Sequence, residues 1–283
     1  VDSGNMPALP SVNVELPPNP SGLTVLVGLT DLHFGAAGWK DEVGTENNRE
    51  LCRARALATV DRLIAMVLAF GVPVRWILPV GSDNFHSDTD LGTTTKGTPL
   101  DLDGSFARSF IEGCSLYEEM ICRLIAVAPV WLRAMPGNHD RIAAMMATHW
   151  LEARFHSDDR VEVGHPAHQR SYDLIGRTLV GLNHGDTAKD EKLASVMPVE
   201  EPELWGKSRH RLLFTGHLHT DKANEYAGVR VIHMPSLATS DRWHWRQLYV
   251  GNTKACSAYL IDDNDGLVAT LPIQPPEVTH GRA

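Results

Sequence analysis

The chain has 283 residues, 43% of them hydrophobic, and a formal net charge of −9 at neutral pH. This length and composition suit one α/β domain with an ordinary buried core. No apolar run approaches the roughly 20 residues that a membrane span needs, and the acidic balance argues against a protein that coats nucleic acid non-specifically.

The N-terminal half is predicted to alternate strands and helices. Residues 1–20 are rich in proline and follow no sustained period, which predicts a flexible arm. Apolar β-rich runs then alternate with helical spacings of three and four residues. These patterns predict strands at 23–30, 74–80 and 130–135, and helices at 47–70, 106–126 and 141–155. Residues 86–104 are polar and rich in glycine, threonine and aspartate, which is typical of a functional loop or of disorder.

The C-terminal half is predicted to be mostly β-structure. Strands are expected at 170–175, 178–182, 211–214, 229–233 and 255–261, with fewer helices between them. Because no linker or repeat interrupts the chain after residue 21, we expect one domain over residues 21–275 and a tail at 276–283. An α/β sandwich, with helices outside two packed sheets, is the simplest architecture for this order of elements.

The four cysteines, Cys52, Cys114, Cys122 and Cys256, form no C-x-x-C pair. Cys114 and Cys122 are predicted on one helix, where eight residues span about 12 Å, beyond the reach of a disulfide bond. We therefore expect free, buried thiols in a reducing compartment. Residues 1–20 also lack the features of a signal peptide, so the sequence predicts a cytoplasmic protein with no membrane partner.

Five polar motifs follow directly after predicted apolar strands. They are Asp31-Leu32-His33, Gly81-Ser82-Asp83-Asn84, Pro136-Gly137-Asn138-His139-Asp140, Asn183-His184-Gly185-Asp186 and Gly216-His217-Leu218-His219-Thr220. One such motif alone is more often a turn or a helix cap than a site. In an α/β sheet, however, the strand ends face one rim. We therefore expect the Asp, Asn and His side chains of all five motifs to converge.

The residue types in these motifs predict a metal centre. Imidazole and carboxylate ligands suit zinc, iron and manganese better than calcium, and the absence of cysteine argues against a purely structural zinc site. Seven side chains are too many for one transition metal. They suit two divalent ions (Mn²⁺, Fe²⁺/Fe³⁺ or Zn²⁺) about 3.5–4 Å apart, which bind an attacking hydroxide and the phosphoryl oxygens of an ester.

In order and strand context, the motifs resemble the calcineurin-like metallophosphoesterase superfamily across residues 25–220. The resemblance implies a four-layer sandwich of two mixed β-sheets flanked by helices. It implies that one metal ion is held by Asp31, His33, Asp83 and His219. It implies that the other is held by Asp83, Asn138, His184 and His217, with Asp83 as the bridge. His139 would protonate the leaving oxygen, with Asp140 or another carboxylate orienting it.

The chain departs from the usual Gly-Asp second motif of that superfamily by one inserted residue, Ser82, which a loop can absorb. No arginine follows Asp83 closely, which argues against a protein serine/threonine phosphatase. The segment 81–101 is more loosely similar to metallophosphoesterases carried by phages and prophages. Outside the motif ligands, Asn84, His86, Lys96 and Trp243 are candidates for contact with substrate. A solvated loop is the alternative for His86 and Lys96, and packing or an oligomer contact is the alternative for Trp243.

The leading prediction is a two-metal phosphodiesterase, or a broader phosphoesterase, whose partner is a phosphate-ester substrate. One alternative is a DNA exonuclease or endonuclease of the same superfamily, which the acidic balance disfavours. The other is a catalytically dead scaffold, although such proteins usually lose a ligand or the histidine that corresponds to His139. The sequence leaves oligomeric state open.

Overall fold

A computed structural model describes residues 7–239, 241–246 and 251–277, apart from the side chains of Trp243 and His244. Its strands form two sheets. In spatial order, the first sheet contains Gly266–Ile273 (β11), Cys256–Asp262 (β10), Thr24–Gly28 (β1), Arg75–Gly81 (β2), Val130–Met135 (β3) and Val161–Val163 (β4). The second contains Ser171–Ile175 (β5), Thr178–Leu182 (β6), His210–Thr215 (β7), Val229–His233 (β9) and Lys222–Tyr226 (β8).

Both sheets are mixed. In the first, β1 to β4 are parallel, whereas β10 runs antiparallel to both β1 and β11. In the second, β6, β7 and β9 are parallel, with β5 and β8 antiparallel at the edges. The helices are Lys40–Val43 (α1), Arg49–Leu68 (α2), Phe106–Ile125 (α3), Arg141–Phe155 (α4), Asp190–Glu200 (α5), Pro202–Lys207 (α6) and Arg242–Arg246 (α7).

Alternation along the strands shows how the layers are stacked. Val25 and Val27 of β1 belong to the apolar cluster beneath α2, α3 and α4, whereas Leu26 belongs to the cluster between the sheets. In β7, Phe214 faces the first sheet and Leu213 packs beneath α5. Successive side chains of a strand point to opposite faces. The layers therefore run helix, sheet, sheet, helix, which confirms the α/β four-layer sandwich.

The predicted elements correspond to α2, α3 and α4 and to β1, β2, β3, β5, β6, β7, β9 and β10. The edge strands β4, β8 and β11 were missed because they are short, polar or buried on one side only. Helix α5 was missed because it carries Pro198, a residue disfavoured inside helices. Helix α6, only six residues long, gave no periodic signal.

The regions at the two ends of the chain are described in part. Residues 7–20 form no helix or named strand, yet Leu9, Val12 and Val14 pack against the core. Residues 1–6 of the predicted flexible arm and 278–283 of the predicted tail lie outside the described residues. All four cysteines are buried and free, as expected. None of the helices over the described residues has the length and apolar character that crossing a membrane takes.

Candidate metal centre

The five motifs meet at one edge of the two packed sheets. In the first sheet, Asp31, Asp83 and Asn138 follow the parallel strands β1, β2 and β3. In the second, His184 and His217 follow the parallel strands β6 and β7. The predicted convergence of strand ends is therefore seen within each sheet and also between them.

Asp31, His33 and His219 form the first group of candidate ligands, with one ligand atom from each within 4.8 Å of the others. The Oδ1 atom of Asp31 lies 3.3 Å from Nε2 of His219. The Nε2 atom of His33 lies 3.3 Å from the same nitrogen. The Asp31 carboxylate is fully buried and accepts the backbone N–H of His217 at 2.9 and 3.1 Å. Two imidazole nitrogens and a fixed carboxylate oxygen therefore face a common position.

Asp83, His184 and His217 form the second group, again with ligand atoms within 4.8 Å. The Oδ2 atom of Asp83 lies 3.0 Å from Nε2 of His184, and Oδ1 of Asn138 lies 3.2 Å from that nitrogen. The other oxygen of Asp83 accepts the backbone N–H of His139 at 2.7 Å. All four side chains implied for the second metal ion thus lie together.

The inserted Ser82 is accommodated by the backbone. Ser82 and Asp83 both have a φ of 58°, so two consecutive left-handed residues turn the Asp83 carboxylate towards His184. The Ser82 hydroxyl lies 3.0 Å from Nδ1 of His184 and so helps to orient that ring. The geometry groups Asp83 with the second set of ligands. Its role as a bridge to the first set stays a prediction.

Backbone strain is concentrated in these motifs. Seven non-glycine residues among those described have positive φ, and the site holds all but one: Asp31, His33, Ser82, Asp83, His217 and His219. Such conformations cost of order 1 kcal/mol or more each and persist only where surrounding structure imposes them. Here backbone hydrogen bonds impose them, since Asp31 N donates to Ser82 O and His33 N donates to Asp83 O.

Gly137 and Gly216 allow the backbone to approach the two carboxylates closely. A β-carbon at Gly137 would overlap the Asp83 carboxylate, and one at Gly216 would overlap that of Asp31. Any side chain at either position would displace a candidate ligand. This steric requirement explains why glycine stands in the third and fifth motifs.

The buried acidic and imidazole groups of the site shift the pKa values of one another. Burial opposes ionisation of Asp83, but the charge and hydrogen bond of His184 outweigh it and lower the pKa of Asp83 well below its usual range. Burial likewise opposes protonation of His184, yet Asp83 raises the pKa of that ring to about 9. Burial and the neighbouring charge of His184 lower the pKa of His217. Burial and the negative charge of Asp83 raise the pKa of Asp140 to about 8.

His139 lies at the edge of both ligand groups, half-buried, with its ring centroid 4.7 Å from that of His33. Its Nδ1 lies 2.9 Å from the carbonyl oxygen of His86. A carbonyl only accepts hydrogen bonds, so Nδ1 carries a proton. The Nε2 atom is therefore the atom whose protonation can change. The partner of the ring is a backbone carbonyl rather than a carboxylate.

Two further predicted site residues, Asp140 and Asn84, make their contacts behind the cleft. The carboxylate of Asp140, predicted to orient His139, instead accepts the backbone N–H groups of Gly137 and Phe85 at 2.8 and 3.3 Å. Asn84, predicted to contact substrate, is buried with its amide engaged. It accepts from Leu32 N and donates to Leu29 O and to the Tyr117 hydroxyl. Both residues shape the backbone behind the site.

A cleft of about 460 Å³ opens over the ligands. It is lined by His33, Asp83, Thr98, Pro99, Leu100, Asn138, His139, His217, Leu218, His219, Thr239, Asp241, Asn252 and Lys254. Lys96 is exposed near this cleft but is not among the described lining residues. The side chain of Trp243 lies outside the described residues. His86 lies behind the ligands, buried, with Nδ1 3.1 Å from Nδ1 of His33.

The donor set fits divalent transition-metal ions. It combines carboxylate, imidazole and amide oxygen and contains no thiolate, which is the combination expected for manganese, iron or zinc. The Nε2 atoms of His33 and His219 face each other beside the buried Asp31 carboxylate. Buried carboxylates require compensating positive charge, and a cation bound at this position would supply it.

No family model and no curated protein matches this chain. Among solved structures, it is similar to a predicted phosphoesterase from Streptococcus pneumoniae at 13% identity and a TM-score of 0.38, covering 90% of this chain and 93% of that one. It is also similar to an archaeal phosphodiesterase at 12% identity and a TM-score of 0.41, covering 88% of this chain and 99% of that one. A third similar structure is Vps29 from Entamoeba histolytica complexed with Zn²⁺, at 15% identity and a TM-score of 0.36, covering 88% of this chain and 98% of that one.

Identities and scores this low carry nothing about activity. None of these three structures is described as a phage protein, so the looser phage similarity gains no support. In the order of its motifs, its two mixed sheets and its flanking helices, the chain resembles the calcineurin-like metallophosphoesterase superfamily.

The sequence patterns gave no specific site role to four residues that line the cleft. Thr239, Asp241, Asn252 and Lys254 lie in irregular segments before and after α7 and line the cleft. They follow no strand motif, so nothing in their spacing connects them with the ligands. Burial, followed by the charge of Arg55, lowers the pKa of Lys254.

The 86–104 loop is held against the site by its own contacts. The N–H of Thr95 donates to Asn138 O, and that of His86 donates to Phe34 O. The Asp88 carboxylate accepts the N–H groups of Ile142 and Ala143, each at 2.8 Å, at the start of α4. Of the two alternatives for this segment, these contacts favour a loop that supports the site.

Proposed function

We propose that this chain is a metallophosphoesterase of the calcineurin-like superfamily that binds two divalent metal ions and hydrolyses phosphate esters, with phosphodiesters as the main class. The observation that carries the proposal is the convergence of two Asp/His ligand groups with His139 in one cleft. Each group is completed by residues of both sheets, so the arrangement is a property of the folded chain.

The ligands divide between two positions. Asp31, His33 and His219 would hold one ion, and Asp83, Asn138, His184 and His217 the other, with Asp83 shared. Two divalent ions bound there would supply positive charge for the phosphoryl group and activate water for attack. The choice among manganese, iron and zinc is open because this donor set accepts all three.

His139 serves the leaving group. Its Nδ1 proton is held by the carbonyl oxygen of His86, which aims the ring and leaves Nε2 to carry the exchangeable proton. When Nε2 is protonated, it can donate that proton to the departing oxygen. Such assistance matters most for an alkoxide, which is a strongly basic leaving group.

A diester is favoured by the charge of the cleft wall. Lys254 is the only lysine or arginine among the described residues that line the cleft. A diester carries one negative charge at the phosphoryl group, whereas a monoester carries two near neutral pH. The single wall cation suits the less charged substrate class.

The test pairs metal content with turnover on one sample of protein. After manganese or zinc is supplied, metal is counted by mass spectrometry. Hydrolysis is then followed with bis(4-nitrophenyl) phosphate, 4-nitrophenyl phosphate and linear DNA. Asp83→Asn is the loss-of-site variant. His168→Ala is the matched control, because His168 is an exposed histidine outside the five motifs.

We expect about two metals per chain and faster turnover of the diester, lost in Asp83→Asn and kept in His168→Ala. Faster cleavage of DNA would favour the nuclease alternative. Two bound metals with no turnover of any ester would favour the scaffold. Absence of bound metal would overturn the proposal itself. The predicted cytoplasmic location rests on four free, buried thiols and stays a prediction.

A further inference from the structure

His86 touches both the metal ligand His33 and the candidate acid His139. Its Nδ1 lies 3.1 Å from Nδ1 of His33, and its carbonyl oxygen lies 2.9 Å from Nδ1 of His139. The three rings lie close together, with the rings of His86 and His139 stacked at 5.3 Å and that of His33 set edge-on at 81° and 82°. His86 is 1% exposed, which keeps water from competing for these contacts.

The direction of the first hydrogen bond follows from the position of His33. Its Nε2 faces His219 Nε2 and the Asp31 side of the centre, so this nitrogen must offer a lone pair if it is to bind metal. A neutral imidazole with a bare Nε2 carries its proton on Nδ1. That proton then lies in the 3.1 Å contact, and Nδ1 of His86 accepts it.

The second hydrogen bond is made by the backbone of the same residue. The His86 carbonyl accepts the Nδ1 proton of His139, as any carbonyl must. One residue thus contacts two histidines through two different groups, its ring and its main chain. Its backbone is fixed in turn, because His86 N donates to Phe34 O.

Resting on the function proposed above, we propose that His86 is a positioning residue that fixes the tautomers of His33 and His139. Its ring holds the proton of His33 on Nδ1, so that Nε2 is presented to the first metal position. Its carbonyl holds the proton of His139 on Nδ1, so that Nε2 faces the cleft. The two effects are separable, since replacing the side chain removes the first contact and leaves the second.

The competing interpretation is a third metal position among the same rings, because ligand atoms of His33, His86 and His139 also lie within 4.8 Å of one another. A metal there would need a bare nitrogen from each ring. Because Nδ1 of His139 is occupied by its proton to the His86 carbonyl, only Nε2 of that ring could bind such a metal, and the metal count described below tests this alternative. The 3.1 Å separation of the other two Nδ1 atoms is an ordinary hydrogen-bond distance.

The first experiment is a long-range ¹⁵N–¹H spectrum of the histidine rings in the chelated wild-type protein at about pH 8, with assignment from His33→Gln and His139→Gln. We expect both rings as the Nδ1–H tautomer. A neutral His33 with its proton on Nε2 would overturn the proposal. So would a third equivalent of metal, counted on loaded protein, that is lost with His86.

The second experiment compares His86→Leu, which has no acceptor, with His86→Asn, whose amide oxygen can take the place of Nδ1. We expect His86→Leu to weaken metal binding by about 10–100-fold in calorimetric titration, the effect usual for an outer-shell partner, and to mix the His33 tautomers. His86→Asn should restore most of both. Equal affinity in wild type and His86→Leu, or failure of His86→Asn to improve on His86→Leu, would contradict the proposal.

These readouts need no substrate, so they separate this proposal from the proposed function. Metal binding that depends on His86, with no ester turned over, would retain the positioning role and reject the function. Ester turnover by a wild-type protein whose His33 carries its proton on Nε2 would retain the proposed function and reject the positioning role. In His86→Leu, the ratio of turnover on aryl and alkyl esters should stay unchanged, because the carbonyl contact to His139 remains.

Discussion

The two sheets contribute chemically different parts of the candidate centre. Both carboxylates, Asp31 and Asp83, follow strands of the first sheet and are almost fully buried. Three of the four candidate imidazole ligands, His184, His217 and His219, follow strands of the second sheet, and the last two are partly exposed at the cleft. Each sheet alone carries half of a site.

The carboxylates are held by backbone groups, whereas the imidazoles are held largely by the carboxylates. Asp31 accepts the N–H of His217, and Asp83 accepts the N–H of His139. His184 and His219 each lie 3.0–3.3 Å from one of the two carboxylates. Assembly of the centre therefore requires the sheets to be packed together, and metal binding is expected to stabilise that packing.

The largest effect is expected from removing one ligand on each side of this division. Asp83→Asn and His217→Ala should each lower diesterase activity by at least about 10³-fold, or about 4 kcal/mol, through loss of metal. Asp83→Asn should be the more damaging, because Asp83 also positions His139 and pairs with His184. Activity and metal content are measured on the same preparations. Retention of two metals by Asp83→Asn would contradict the division.

Replacement of His139 should separate chemistry from binding. His139 contacts the edge of both ligand groups but is not implied as a ligand, so His139→Ala should keep its metal. Turnover should fall by about 10²-fold or more for alkyl leaving groups, and less for aryl groups, because a general acid helps a basic leaving oxygen most. The measurement is kcat across a series of diesters. An equal loss across the series would argue against the acid role.

A smaller effect is expected in the pH dependence of stability of the chelated protein. The pKa of His184 is raised from 6.5 to about 9. The contribution of this group to the free energy of unfolding is therefore complete below pH 6.5 and is lost as pH rises through 9. The pKa of Asp83 is lowered from 3.8, so its contribution is present above pH 3.8 and is lost as pH falls through the lowered value. The raised pKa of Asp140 likewise makes the folded protein less stable as pH rises.

The melting temperature of chelated protein should therefore fall between pH 6.5 and 9. Over the same range the increase caused by added metal should grow, because ligand histidines must lose their protons. Thermal unfolding with and without manganese measures both trends. His184→Gln should flatten the first trend. If the melting temperature of the chelated protein instead rises steadily to pH 9, the pair of Asp83 and His184 does not link the sheets.

The sequence predicted that the candidate ligands would converge because each one follows a strand. A buried strand carries its own apolar signal, and the polar residue after it is then placed at a known edge of the sheet. Asp31 and His217 lie far apart in the chain, yet the backbone N–H of His217 donates to the side-chain Oδ1 of Asp31, so the expected convergence is seen for this pair. Edge strand β8 has little buried surface to mark it, and so its pattern was not seen.

Other features could not be predicted because their function lies in the backbone or in irregular segments. The partner of His139 is a carbonyl, and a carbonyl has no residue type to signal it. Asn84 stands beside a ligand in sequence but points inward to Tyr117. Lys254 reaches the cleft from a segment with no period. Residue type and spacing predict candidate ligands, whereas the direction of each neighbouring side chain is known only from the fold.

The smallest effect is expected from replacing Asp88, which links the 86–104 loop to the start of helix α4. Helix α4 has Asp140 at its N-cap without a side-chain cap hydrogen bond. Asp88 instead accepts the N–H groups of Ile142 and Ala143 and the hydroxyl of Thr95. A carboxylate at a helix N-terminus is favourable both as an acceptor and through the helix dipole.

Asp88→Ala should therefore lower the free energy of unfolding by about 1–2 kcal/mol, as typical for loss of a cap. It should reduce turnover only a few-fold, because the His86 carbonyl is two residues away and its own contacts remain. Urea denaturation and diester kinetics measure the two effects. Asp88→Asn, which keeps an acceptor without the charge, should recover most of the stability. Full loss of metal in Asp88→Ala would mean that the loop builds the centre rather than supporting it.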